Sequence, residues 1–212
     1  MTATDGTNTG TDTMLITVQN PLTPKAGGLL REAWTNVSGY QIVNLTSATA
    51  YTGKPNFSDI LPNLETPTNW ADNYGQRLTG FLQVPVEGDY VFLIASDDES
   101  ALWMNSAGEP AAGAQKIAFT TQATGRYQWS RYPSQKSASI HLVPGKRYYI
   151  KALQKEGGGD DCLAVAYRLA TQTDAQAQVI PGVLLRPPDG VKAETFDSEM
   201  SVRAGEPQSG YW

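Results

Sequence analysis

The chain has 212 residues, 40% of them hydrophobic, which suits one large globular domain or one domain with short appendages. Its formal net charge is −5 and no cluster of Lys and Arg occurs, which argues against nucleic acid and anionic membranes as partners. No apolar run approaches the roughly 20 residues that span a bilayer, and a single cysteine, Cys162, rules out an intrachain disulfide.

Short apolar runs are punctuated by 20 glycines and 13 prolines, and none repeats at helical spacing. That pattern predicts an all-β fold. One histidine and one cysteine cannot build a zinc site of the usual composition. His141 lies in a strand-like run without a Ser or Cys nucleophile motif beside it, so no catalytic residue is assigned and the chain is read as a non-enzyme. Cys162 precedes Leu163-Ala164-Val165-Ala166-Tyr167 and reads as a small buried hydrophobe.

In chain order, residues 1–26 read as an extension and linker from a preceding module. They are rich in Thr, Asn, Gly and Asp, with one short strand at 14–18 and a Pro-containing linker from Pro21. Asp5 and Asp12 belong either to plain linker or to calcium binding between modules. The polar start is no signal peptide, which leaves an intracellular protein or an internal piece of a longer secreted chain. Residues 27–170 read as the folded domain. A strand carrying Trp34 is followed by a turn-rich excursion from Asn44 to Leu64, and Trp70 to Leu82 enters the next strand.

From Tyr90 to Ala95 every residue is apolar, with aromatic and β-branched types, so this strand should be covered on both faces. The polar stretch Ser96-Asp97-Asp98-Glu99-Ser100 interrupts it before Ala101-Leu102-Trp103-Met104, and a hairpin is the simplest geometry. Neighbouring strand residues point to opposite faces, so Asp97 and Asp98 converge only if the backbone leaves strand geometry. A cis bond between them would do this, with a hard cation as the group they hold. An ordinary solvated turn is the other reading.

Residues 106–114 are small and polar, a loop by composition. Gly157-Gly158-Gly159-Asp160-Asp161 is a second acidic loop, and 163–169 closes the sheet. Trp34, Trp70, Trp103, Trp129 and Tyr148 are read as core. Residues 171–212, with Pro181, Pro187 and Pro188, read as an extended segment packed along the domain or as a linker.

Several separated motifs occur in one order. They are Gly28-Leu29-Leu30-Arg31-Glu32 with Trp34, Trp70-Ala71-Asp72-Asn73-Tyr74-Gly75-Gln76-Arg77 with Gly80-Phe81-Leu82, and Gly88-Asp89-Tyr90 leading to Ile94-Ala95-Ser96-Asp97-Asp98-Glu99-Ser100. Leu102-Trp103, Tyr132-Pro133-Ser134-Gln135-Lys136-Ser137, Pro144-Gly145-Lys146-Arg147-Tyr148-Tyr149 and Lys155-Glu156-Gly157-Gly158-Gly159-Asp160-Asp161 complete them. With these, residues 27–169 resemble the PA14 domain, a β-sandwich module known from the anthrax toxin component, yeast and bacterial (RTX-type) adhesins and some glycosidases.

The resemblance implies an antiparallel β-sandwich with long loops. In the sugar-binding branch an Asp-Asp pair joined by a cis peptide holds calcium together with a second loop. Here that implies Asp97 and Asp98, with the loop 157–161. The yeast adhesins supply an Asn from that loop; this chain offers none there, so Asp160 or Asp161 is expected to replace it, with backbone carbonyls of Gly157 and Gly159. Two remaining coordination positions would take vicinal sugar hydroxyls. Sugar contact is expected from Asp97, Asp98, Asp160, Asp161 and Gln154, with the loop 106–114 setting specificity.

The implied function is a calcium-dependent lectin module of a large secreted bacterial adhesin, monomeric within a longer chain, at a cell surface or secreted. Its partners would be glycans bearing a vicinal diol, not nucleic acid, with no membrane insertion. Two alternatives stand beside it: a non-catalytic accessory module of a glycoside hydrolase, and a protein-contact or spacer module as in the toxin branch.

Overall fold

The computed structural model describes residues 27–191. The strand expected at 14–18 and the acids Asp5 and Asp12 lie outside the described residues. The chain forms β1 (Leu29–Thr35), a short helix α1 (Ile42–Thr46), β2 (Phe57–Leu61), β3 (Tyr74–Leu82), β4 (Gly88–Asp97) and β5 (Ser100–Met104). It continues with β6 (Gln115–Thr120), β7 (Ile140–Leu142), β8 (Tyr148–Glu156), β9 (Cys162–Leu169), β10 (Gln178–Val179) and β11 (Leu185–Arg186).

Two antiparallel sheets face each other. The larger runs β2-β1-β3-β8-β5-β6, with β11 also pairing with β3; the smaller runs β10-β9-β4-β7. Alternate residues of both sheets meet in one core, including Leu78, Leu102, Ile150 and Ala152 from the larger sheet and Phe92, Ile94, Leu163 and Val165 from the smaller. Tyr90 to Ser96 are all buried, so β4 is covered on both faces as its unbroken apolar run requires.

The excursion after β1 packs on the outer face of the larger sheet. Leu45 of α1 joins Trp34 and Val37 in a second cluster. It fits there because Gly75 of β3 has no side chain: a Cβ on Gly75 would stand 2.6 Å from Leu45.

Two sequence-based expectations are corrected, the hairpin and the aromatic core. The stretch 96–100 is not a hairpin. β4 and β5 belong to different sheets, with β4 paired to β9 and β5 to β8, so the corner carries the chain across the sandwich. An apolar–polar–apolar pattern is the same for a hairpin and for a change of sheet, which is why the pattern misled. Of the two readings of the segment after 170, its described part follows the one that packs it along the domain. Residues 178–186 add β10 and β11, and Ile180 and Leu185 are fully buried in the main core. Burying each of these aliphatic side chains contributes about 1.5–3 kcal/mol. Last, only Trp34 and Tyr148 of the five aromatics are fully buried; Trp70, Trp103 and Trp129 are half-buried.

Candidate functional site

Two crossovers between the sheets lie side by side at one pole of the sandwich. The first is the β4–β5 corner, the second the β8–β9 loop. They are adjacent because Asp97 pairs with Cys162 in one sheet while Ser100 pairs with Gln154 in the other.

The Asp97–Asp98 peptide bond is cis. Both carbonyls of the corner are held from below. The Asp97 carbonyl accepts from Nε2 of Gln154, and the Asp98 carbonyl accepts from Oγ of Ser96 at 2.6 Å. Gln154 Nε2 also donates to the Cys162 carbonyl at 3.1 Å, and Gln154 Oε1 accepts from Gln76 Nε2. This one amide ties both crossovers together from inside the core.

Carboxylate oxygens of Asp97, Asp98 and Glu156 lie within 4.8 Å of one another. Glu156 ends β8 and shares the inward face with Gln154, two residues earlier. It is fully buried, and neither of its carboxylate oxygens has a hydrogen-bond partner. Burial, then the charges of Asp98, Asp97 and Asp161, push its pKa up to about 7. Burial and the Asp98 charge push Asp97 up to about 6.

Three acids crowded this way, one of them orphaned, suit a hard dication. Two calcium–oxygen bonds of about 2.3–2.6 Å span about 5 Å, which the observed spacing fits. A cation there would satisfy Glu156 and remove the repulsion that raises both pKa values.

The structure redistributes the other expected site residues. Asp161 is buried, and its Oδ2 accepts the N–H groups of Trp70 at 2.7 Å and Ala71 at 3.1 Å, bracing the segment before β3; its Oδ1 has no partner. Asp160 is exposed, close enough for its charge to act on Asp97. The third carboxylate meeting the pair is therefore Glu156, not Asp160 or Asp161. Gly157 donates its N–H to Asp98 Oδ2 at 3.1 Å, while its carbonyl accepts from Asn73 at 3.0 Å. Gly159, at φ +106°, donates to Asp72 Oδ1 at 3.1 Å.

Gln154 is 0% exposed, so it supports the corner from behind and does not face a surface ligand. The loop 106–114 lies at the opposite pole, where Asn105 and Gly108 bond to Tyr149 at the start of β8. It is separated from the acids by the length of β5, about 15 Å, and does not flank them. His141 is at that far pole too, between Glu87 at 3.3 Å and Asp89 at 3.0 Å. Cys162 is buried as expected, and burial pushes its thiol up to about 11.

A family model described as the PA14 domain matches residues 61–174, more than half of the chain. The chain belongs to the PA14 domain family. Among curated relatives of this PA14 domain, the mouse N-acetyl-beta-glucosaminyl-glycoprotein 4-beta-N-acetylgalactosaminyltransferase 1 is 29% identical over 154 residues; these are 70% of this chain but only 14% of that protein. Among solved structures, the PA14 sugar-binding domain from RTX adhesin superposes with a TM-score of 0.55 at 14% identity, covering 76% of this chain and 97% of that one. The epithelial adhesin 6 A domain of Candida glabrata, solved in complex with Galβ1-3GlcNAc, gives a TM-score of 0.53 at 14% identity, covering 78% and 89%. At these identities the likeness establishes the fold. Among the described residues no helix is long and apolar enough to cross a membrane.

Proposed function

We propose that this PA14 domain is a calcium-dependent carbohydrate-binding module. The observation that carries the reading is the meeting of Asp97, Asp98 and the orphaned Glu156 at one pole of the sandwich. Asp97, Asp98 and Glu156 would hold the ion, with backbone oxygen from the Gly159 region completing the set. Bound calcium supplies open coordination positions that a pair of vicinal sugar hydroxyls can fill. Half-exposed Asp97 and Asp98 and exposed Asp160 are open to solvent and would accept hydrogen bonds from those hydroxyls. Asp161 and Gln154 keep the two crossovers in place.

A contact this small binds at roughly micromolar to millimolar strength, so a useful grip comes from many copies. That fits a module of a secreted or cell-surface adhesin engaging glycans, and structural neighbours named as adhesin domains support it. A second reading is an accessory module inside a carbohydrate-processing enzyme, favoured by the likeness to the mouse glycosyltransferase.

A glycan array read in calcium and again in a chelator tests the proposal. Calcium-dependent signals are expected; signals that survive chelation would remove the metal from the mechanism. A protein that binds no glycan in either condition would favour a protein-contact role.

A further inference from the structure

Tyr40 is 58% exposed on the loop between β1 and α1. The loop beneath it is held firmly. The Gly39 carbonyl accepts from Nζ of Lys155, a fully buried lysine whose amine also donates to the Glu156 carbonyl. Gly39 sits at φ +87°, with the Asn44 side chain packed where its Cβ would be, and Asn44 Oδ1 accepts from Gln41 at 2.9 Å. Ile42 N–H donates to Oε2 of Glu99, the residue after Asp98, at 3.0 Å. The loop is thus tied to the end of β8 and to the β4–β5 corner, the two elements that carry the acids.

Its distance from them is short. A Cβ built on Gly157 would lie 3.3 Å from Asp98 Oδ2 and 3.3 Å from Tyr40 Cβ. Both atoms flank one point, and so stand within about 7 Å of each other. Lone exposed aromatics are ordinary on a protein surface. This one stands on a fixed backbone beside a cluster of acids and remains in solvent.

We propose that Tyr40 is a stacking platform for the bound sugar, receiving the apolar C–H face of a pyranose whose hydroxyl edge meets the acidic site. The ligand class is therefore a pyranose with a vicinal diol on one edge and an unbroken C–H face on one side. A fixed aromatic gives contact area at little entropic cost, because its backbone is already held. This rests on the reading that Asp97, Asp98 and Glu156 hold calcium.

The test titrates wild type, Tyr40→Ala and Tyr40→Trp with calcium alone. Each is then titrated, in saturating calcium, with lactose, L-fucose and methyl α-mannoside. Calcium affinity should be the same in all three proteins. The saccharide that binds wild type best should bind Tyr40→Ala about tenfold more weakly and Tyr40→Trp within about twofold of wild type. Equal saccharide affinity in Tyr40→Ala, with calcium still bound, would overturn the platform and leave the calcium reading intact. Failure of wild type to bind calcium would overturn both. Calcium binding with no response to any of the three sugars would overturn the platform.

Discussion

Gln154 hands one amide proton to the Asp97 carbonyl and another to the Cys162 carbonyl, joining the two crossovers that carry the acidic site. Removing it would take a side-chain donor from each of these carbonyls and an acceptor from the buried Gln76 amide, at about 1–3 kcal/mol. Gln154→Leu, close in volume, should lower the denaturation midpoint accordingly. It should also weaken calcium binding, because the corner loses its internal brace. Urea unfolding and calcium titration measure the two effects. A stable variant with unchanged calcium affinity would show that the corner holds itself.

Glu156→Gln separates charge from shape. With Asp97 and Asp98 still present, loss of one carboxylate should weaken calcium binding by at least about tenfold, read by calorimetric titration. In chelator the same variant should be at least as stable as wild type, since a neutral amide replaces a buried, unpartnered carboxylate. A variant that binds calcium like wild type would return the third ligand to Asp160 or Asp161.

The pH dependence of the metal-free protein follows from the same crowding. Glu156 is pushed up to about 7 and Asp97 to about 6, both above the ordinary carboxylate range. Between that range and pH 7 the folded state therefore holds protons that the unfolded chain has released. Stability then falls as pH rises, and the loss is complete above the folded values. In chelator, the melting temperature should be higher near pH 5 than near pH 8. Glu156→Gln should flatten the slope, and saturating calcium should reverse it. Thermal melts across this range in both conditions give the answer; a metal-free protein that gains stability from pH 5 to 8 contradicts the account.

Leu185 lies in β11 at the core, beyond the point where the sequence pattern weakens. Leu185→Ala should cost about 2–5 kcal/mol, the range for truncating a buried leucine. Deleting residues from 171 onward should leave an insoluble or unfolded product. A truncated chain with a cooperative melt like wild type would show β10 and β11 to be decoration.

What was legible in the sequence had a local cause. Asp97 and Asp98 stand in a polar break between two apolar runs, and Gly157 to Asp161 is a visible loop. Glu156 was hidden because it reads as the polar end of a strand. Its one signal is its place two residues after Gln154, on the same face. The change of sheet at 97–100 and the remoteness of 106–114 are properties of topology, which no short window contains. β10 and β11 are two residues each, too short for any periodicity, yet Ile180 and Leu185 on and beside them are buried.

Gly27 lies against Gly182, and Asp189 pairs with Arg147 just before β8, so the first and last described residues leave the sandwich at the pole away from the acids. The strands between the two poles are about 25 Å long. The described chain therefore enters and leaves at one base. Both described ends thus leave the acidic tip unobstructed, so a ligand approaches it from the solvent side alone.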